Sequence, residues 1–133
     1  MKLTKDLIIF VTGGASGLGE ATVRYLHNLG CKVAVADMNE ERLELLKNEL
    51  KENILCIKCN VTKEEEVKHA IDRTVETFGT IHVALACAGV ASVVPTISTK
   101  GNLNIDVFKK TMEINVYGSI YVAKYAAPIM AKN

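Results

Sequence analysis

The sequence predicts an α/β protein, the N-terminal part of a doubly wound parallel sheet with the strand order 3-2-1-4. Apolar runs of strand length alternate with segments of helical periodicity, which favours parallel β-α-β units with right-handed crossovers. Most of these runs are apolar nearly throughout, as in strands that helices cover on both faces. A glycine-rich turn joins the first strand to the first helix. In such a sheet a crevice opens between strands one and four.

The alternation defines the elements in order. Strands are expected where short apolar runs occur, at residues 7–11, 32–36, 54–59 and 81–86. Helices are expected where apolar residues recur three or four positions apart, at residues 17–29, 40–50, 62–78 and 104–131. Thr62 and Glu65 have capping-box spacing at the start of the third helix. Residues 89–103 are expected to form a loop, and the last helix is expected to be one continuous α-helix.

Composition limits the possible functions. The 133 residues are 49% hydrophobic and 23% charged, which is typical of one globular domain. Sixteen basic and fifteen acidic residues give a net charge of +1, so no nucleic-acid partner is expected. No apolar run approaches the ~20 residues of a membrane helix. The first strand begins so early that we expect no cleavable targeting segment before it.

The four cysteines are expected to be free thiols of an intracellular protein, although their number alone would allow disulfides. Cys56 and Cys59 form a C-x-x-C pair, but no second pair completes a tetrahedral zinc site. We therefore predict no metal site.

The turn after the first strand reads TGGASGLG, from Thr12 to Gly19. Glycines at these positions allow a tight turn and a close approach of backbone amides to a phosphate. The following helix N-terminus adds unpaired N–H groups and the positive end of its dipole. Strand, loop and helix together predict a dinucleotide pyrophosphate site rather than a purely structural turn.

Asp37 ends the second strand, about 20 residues beyond the loop, where an acidic side chain can accept hydrogen bonds from an adenosine ribose. A carboxylate there repels a 2′-phosphate, which favours NAD over NADP. The alternative is an ordinary aspartate at a strand end or helix cap.

The spacing Thr-Gly-x-x-x-Gly-x-Gly resembles the glycine-rich loop of the short-chain dehydrogenase/reductase family. Three further strings agree with this resemblance: Asn60-Val61-Thr62 after strand three, Cys87-Ala88-Gly89 after strand four, and Asn115-Val-Tyr-Gly118 in the last helix. Within the family, the chain is most similar to the type 2 3-hydroxyacyl-CoA dehydrogenase group, also called 17β-hydroxysteroid dehydrogenase type 10.

The resemblance implies a set of cofactor-binding residues: Gly13, Ser16, Gly17, Leu18, Gly19, Asp37, Asn60, Val61, Cys87, Ala88 and Gly89. It implies that Ser16 and the Leu18 backbone hold the pyrophosphate, and that Asn60 and Val61 border the adenine. Asn60 stands where the family usually has Asp, and we expect its side-chain carbonyl to accept a hydrogen bond from the adenine amino group. Cys87 would contact the cofactor through its backbone. Asn115 would support a proton-relay water, the alternative being a polar residue tolerated in a helix interface.

The family performs its chemistry with a Ser on strand five and a Tyr-x-x-x-Lys on the next helix, and the sequence contains no Tyr-x-x-x-Lys. Tyr121 and Lys124 have the wrong spacing and lie on the preceding helix. Complete domains of this kind often run to about 200–250 residues. We therefore expect residues 1–133 to be an incomplete NAD-binding Rossmann domain whose C-terminal part is absent.

The resemblance implies hydride transfer between NAD and a secondary alcohol or ketone, such as a 3-hydroxyacyl-CoA or a hydroxysteroid. It also implies a homo-oligomer, a dimer or tetramer assembled through the 104–131 helix, in the mitochondrial matrix or the cytoplasm. Two alternatives remain open: a non-catalytic nucleotide-binding or scaffold subunit, and a methyltransferase with a nucleotide-binding fold.

Overall fold

The computed structural model describes residues 5–99 and 101–133. Its main sheet contains β1 to β4, which span Ile8–Thr12, Lys32–Asp37, Ile54–Lys58 and Val83–Ala86. Three helices connect these strands: α1, α2 and α3, which span Gly17–Asn28, Glu40–Leu50 and Glu64–Phe78. After β4 come two short strands, β5 (Ile97–Ser98) and β6 (Gly101–Asn102). A long helical segment follows, made of α4 (Ile105–Met112), a π-helical turn (Glu113–Tyr117) and α5 (Gly118–Met130).

The main sheet has the strand order β3-β2-β1-β4, and all its pairings are parallel. The predicted order 3-2-1-4 is confirmed. Thr12 lies opposite Ala36 on one side and Ala86 on the other, so the carboxyl ends of β1, β2 and β4 lie side by side. In open α/β sheets this edge is where ligands bind.

Side chains of the strands alternate between two apolar layers. Phe10 packs with α3 and α5 on one face, whereas Ile9 and Val11 pack with α1 and α2 on the other. All three side chains are essentially fully buried. The helical coverage of both faces explains why residues 8–11 of β1 and 33–36 of β2 are all apolar. The sheet is therefore the central layer of a three-layer α/β/α arrangement.

The predicted capping box at the start of α3 is wrong. Lys63 is the N-cap residue and provides no side-chain cap. The Thr62 hydroxyl donates instead to Asn60 Oδ1, and Glu66, not Glu65, accepts a hydrogen bond from the Asn60 backbone N–H at 2.8 Å. An Asn two residues before Thr62 offers this local turn, which competes with the capping box.

The segment after β4 also departs from the prediction. Residues 89–103 are not wholly loop, because β5 and β6 form a small antiparallel ladder. The long final helix is interrupted by the π-helical turn. Val122 and Ala126 are buried, but Phe108, which shares their α-helical spacing, is half exposed. A π turn adds a residue to the helical repeat, so a stripe extrapolated at α-helical spacing does not continue across it.

None of the helices in the described part of the chain is long and apolar enough to cross a membrane.

Candidate functional site

The turn between β1 and α1 brings its backbone against two neighbouring segments. Gly13 has φ +66°, and a Cβ there would lie 2.6 Å from Ala88 Cα. A Cβ on Gly19 would lie 2.1 Å from the Gly13 carbonyl oxygen. Both distances are far below van der Waals contact, so only glycine fits at either position. The turn can therefore pass close to the ends of β1 and β4 while α1 begins immediately behind it.

The start of α1 leaves polar groups available. Ser16 is the N-cap residue, and its side chain makes no cap hydrogen bond. The first turn of the helix therefore presents backbone N–H groups and a hydroxyl at the positive end of the helix dipole. Leu18 lies beside them with 88% of its surface exposed. An anion is the ligand that such a terminus favours.

Asp37, at the end of β2, holds the glycine-rich turn in place. One carboxylate oxygen accepts a hydrogen bond from the Ala15 N–H, and the other accepts one from the Asn39 N–H, each at 3.0 Å. Each oxygen keeps a lone pair for a further donor. The side chain is thus fixed in orientation and can still accept hydrogen bonds from a ligand hydroxyl.

The end of β3 carries a tightly bonded turn. Asn60 Oδ1 accepts hydrogen bonds from both the backbone N–H and the hydroxyl of Thr62, at 3.0 and 2.8 Å. The side-chain carbonyl that we expected to face adenine therefore already accepts two hydrogen bonds within its own turn. Val61 is buried beneath this turn, against the backbone of Gly118.

The end of β4 continues as a loop beside β1. The Cys87 N–H donates to the Thr12 carbonyl at 3.1 Å, so the backbone of Cys87 is held at the sheet edge. Burial raises the pKa of the Cys87 thiol. Burial also raises the pKa of Cys59, at the end of β3, to about 12. Both groups are thus neutral thiols at physiological pH, and no disulfide joins the four cysteines.

Asn115 lies in the π-helical turn and contacts the loop after β4. Its Oδ1 accepts from the Val90 N–H, and its Nδ2 donates to the Val90 carbonyl, both at 2.8 Å. The carbonyl of Asn115 itself accepts a hydrogen bond from the Ser119 hydroxyl. Asn115 therefore fixes the position of the loop rather than lining the cavity.

These segments enclose a cavity of about 410 Å³ at the carboxyl ends of the strands. All eleven residues that we expected to bind cofactor line it: Gly13, Ser16, Gly17, Leu18, Gly19, Asp37, Asn60, Val61, Cys87, Ala88 and Gly89. Further lining residues are Ala36, Met38, Cys59, Val90 and Ile114. Met38 and Ile114 were not singled out from the sequence, although each adjoins a residue that was, Asp37 and Asn115.

Two other features bear on chemistry. Lys124 Nζ lies 2.6 Å from a Glu64 carboxylate oxygen, and the Tyr125 hydroxyl donates to the same oxygen at 2.7 Å. Lys124 is thus engaged between α3 and α5. Over residues 5–99 and 101–133, no three His, Cys, Asp or Glu side chains are grouped so that they could hold a metal ion.

Comparison with known proteins agrees with this geometry. The sequence model of the short chain dehydrogenase family matches residues 7–133. The chain is 33% identical over 135 aligned residues to the 3-hydroxyacyl-CoA dehydrogenase type-2 of Rattus norvegicus, covering 100% of this chain and 52% of that protein. It is 36% identical over 134 residues to the (+)-borneol dehydrogenase 1 of Salvia officinalis, covering 98% of this chain and 49% of that protein.

Solved structures share the fold. A short-chain type dehydrogenase/reductase from Mycobacterium ulcerans superposes with a TM-score of 0.88 at 28% identity, covering 97% of this chain and 48% of that one. A 3-ketoacyl-(acyl-carrier-protein) reductase from Brucella melitensis, solved with NADH, superposes with a TM-score of 0.90 at 21% identity, covering 99% and 53%.

The chain spans about half the length of the curated relatives it matches. The family match nevertheless covers nearly all of it, including the glycine-rich turn, Asp37 and Asn115. The chain therefore belongs to the short-chain dehydrogenase family.

Proposed function

We propose that residues 1–133 form the NAD-binding part of an oxidoreductase that transfers hydride between NAD and a secondary alcohol or ketone. The observation that carries the proposal is the cavity at the strand ends, where a glycine-rich turn, a helix N-terminus and Asp37 converge. Membership of the family, with its dehydrogenase relatives, supports the same reaction class.

The donor set suits a dinucleotide. The N–H groups at the start of α1, with the Ser16 hydroxyl, match a pyrophosphate, and the close approach at Gly13 and Gly19 leaves the backbone accessible to it. Asp37 offers a carboxylate to ribose hydroxyls and repels a 2′-phosphate, which favours NAD over NADP. Asn60 and Val61 would border the adenine. Because Asn60 Oδ1 is engaged by Thr62, we propose that contact with the adenine falls mainly to backbone and apolar groups there.

The other end of the cavity is bounded by Cys87, Ala88, Gly89 and Val90. Bound there, a nicotinamide would accept or donate the hydride. We propose that Cys87 contributes its backbone and Asn115 keeps the loop in position, with its carbonyl near the path of a proton-relay water. The groups that move the substrate proton belong to the Ser and Tyr-x-x-x-Lys segment of the family, which the 133 residues do not include.

For the natural protein we propose a small-molecule alcohol, ketone or acyl-CoA substrate. The likeness to 3-hydroxyacyl-CoA dehydrogenases type-2 favours a 3-hydroxyacyl-CoA, with a hydroxysteroid as the other candidate. The location we propose is the mitochondrial matrix or the cytoplasm. We also propose a dimer or tetramer assembled through residues 104–131. Exposed apolar side chains along this segment support an interface: Ile105, Phe108, Val116, Tyr117 and Ile120.

The test is a titration of the natural-length protein with NADH and, separately, with S-adenosylmethionine, followed by a search for alcohol-dependent NADH formation. Binding of NADH with turnover supports the proposal. Binding of S-adenosylmethionine alone would favour a methyltransferase. NADH binding without turnover by any secondary alcohol, together with an intact mass near that of 133 residues, would favour a non-catalytic subunit.

A further inference from the structure

Four charged side chains behind the glycine-rich turn join α1 to α2. Glu20 Oε2 lies 2.6 Å from Arg42 Nη2, and Glu20 Oε1 lies 2.9 Å from Arg24 Nη2. Arg24 also contacts the carboxylate of Glu49 through two hydrogen bonds, of 2.6 and 2.9 Å. Glu20 is the least exposed member, with 19% of its side chain accessible. It therefore holds one arginine with each of its oxygens.

Arg42 is also tied to the turn that positions Asp37. Its Nε donates to the Ala15 carbonyl at 2.5 Å, while the Ala15 N–H donates to Asp37 Oδ2 at 3.0 Å. The Arg42 guanidinium thus binds the backbone carbonyl of Ala15, and the Asp37 carboxylate binds the backbone N–H of the same residue. Asp37 faces the cavity, whereas Arg42 is not among the residues that line it.

We propose that Glu20 is a specificity-determining residue that keeps Arg42 from serving as a partner for a phosphate on the adenosine ribose. The inference rests on the proposed function, because it places that ribose at Asp37. A ribose 2′-phosphate is a dianion, and arginine is the side chain best suited to bind one through paired hydrogen bonds. Arg42 is the guanidinium bonded to the same turn as Asp37. Paired with Glu20, it presents no net charge to a ligand.

Arg42 has the freedom to change partners once Glu20 is neutral. About half of its side chain is exposed, 49%, and Glu20 is the one carboxylate that contacts it among the described residues. Arg24 differs, since it would keep both hydrogen bonds to Glu49. Loss of the Glu20 charge therefore releases Arg42 selectively.

The network of these four charged side chains also offers a matched control variant, at Glu49. Glu20→Gln removes the charge that holds Arg42 with little change of shape. Glu49→Gln removes an equal charge from the same network, but from a residue that pairs with Arg24 and, in the described part of the chain, not with Arg42. Both variants change net charge equally, so a difference between them reports on Arg42 and not on the overall field of the protein.

The experiment measures dissociation constants of NADH and NADPH for the natural-length protein by nicotinamide fluorescence. For Glu20→Gln we expect the ratio of the NADPH constant to the NADH constant to fall at least about threefold, a modest change as befits a partly exposed charge pair. The fall should shrink as salt is added, because exposed charges are screened. For Glu49→Gln we expect the wild-type ratio. An unchanged ratio in Glu20→Gln, or an equal fall in both variants, would overturn the inference.

Arg42→Gln gives a second measurement that does not depend on Glu20→Gln folding. It leaves Glu20 charged without its nearer arginine, so the ratio should rise, and the double variant Glu20→Gln with Arg42→Gln should lose the gain in NADPH binding. An Arg42→Gln ratio at or below that of the wild type would contradict the inference. Wild-type protein that binds neither nucleotide would instead overturn the proposed function, and this inference with it.

Discussion

The carboxamide of Asn115 is hydrogen-bonded to both the N–H and the carbonyl of Val90, each at 2.8 Å. This is the pairing that a neighbouring strand would make, supplied here by a side chain. The loop after β4 is thereby attached to the π-helical turn at the rim of the cavity. Asn115 thus fixes the Val90 end of the loop, while hydrogen bonds to Thr12 hold the Cys87 end.

We expect Asn115→Leu, which is close in shape, to lower the free energy of unfolding by about 1–2 kcal/mol through loss of the two hydrogen bonds. Hydrogen exchange at the Val90 amide should accelerate. Glu113→Gln, in the same turn, serves as the control, and should leave both measurements unchanged. Equal exchange at Val90 in wild type and Asn115→Leu would show that the loop is held by other contacts.

The glycine-rich turn should not tolerate a methyl group at Gly19. Because the added Cβ would lie 2.1 Å from the Gly13 carbonyl oxygen, Gly19→Ala must displace backbone. We expect a loss of at least about 3 kcal/mol in stability, as for severe overpacking, and loss of NADH binding. Gly79→Ala is the comparison: its Cβ meets nothing within 4 Å, and only the positive φ of +95° costs about 1–2 kcal/mol. Similar melting temperatures for the two variants would refute the steric argument.

Asp37→Asn should weaken NADH binding by roughly tenfold, since hydrogen bonds to a charged acceptor contribute more than neutral ones. The preference for NADH over NADPH should also narrow, because the charge that repels a 2′-phosphate is gone. Titration with both nucleotides measures the two effects. Asp72→Asn, on the exposed face of α3, removes a carboxylate remote from the cavity and should change neither constant. A retained preference in Asp37→Asn would refute the ribose assignment.

Acid should loosen the turn at the end of β3. The hydrogen bond from the Asn60 N–H, followed by the ion pair with Lys63, lowers the pKa of Glu66 below 4.5. A group whose pKa is lowered on folding stabilises the protein above its unfolded pKa, and this contribution disappears as the pH falls through the folded value. As the pH is lowered below about 4.5, we therefore expect the melting temperature of Glu66→Gln to decrease less steeply than that of the wild type.

Glu65→Gln is the control for that experiment, because it removes a neighbouring first-turn charge from a side chain with no hydrogen bond within the described structure. Its melting temperature should follow the wild-type dependence on pH. If Glu65→Gln and Glu66→Gln behave alike, the acid sensitivity belongs to the helix dipole and not to the Asn60 contact.

The sheet and the cavity could be predicted because local patterns determined them. Apolar strand runs alternating with helices predicted a doubly wound sheet and with it the order β3-β2-β1-β4. The glycine spacing with Asp37 located the cavity. These signals are short in sequence and depend on backbone geometry that few residue types allow. The NAD-binding roles of the lining residues stay predictions that the titrations above test.

Two features could not be predicted, the start of α3 and the π-helical turn. At the start of α3, two local hydrogen-bonding arrangements of similar energy compete. Thr62 could cap α3 or bond to Asn60, and only the folded chain shows that the second arrangement forms. The π-helical turn has no residue signature comparable to proline or glycine. It coincides with the hydrogen bonds between Asn115 and Val90, and Val122 and Ala126 are buried in the helix that follows. These are tertiary contacts that the sequence pattern does not show.

The π-helical turn therefore changes the rotation of α4 about the helix axis relative to α5. Each residue of an α-helix advances the face by about 100°. Deleting one residue from Glu113–Tyr117 would rotate α4 by about 100° relative to the buried side of α5. Phe108 and Val122 are fourteen residues apart and would share one face of a regular α-helix, yet Val122 is buried and Phe108 is half exposed. The irregular turn thus gives the segments before and after it different buried faces, while its own Asn115 bonds to the loop at the cavity rim.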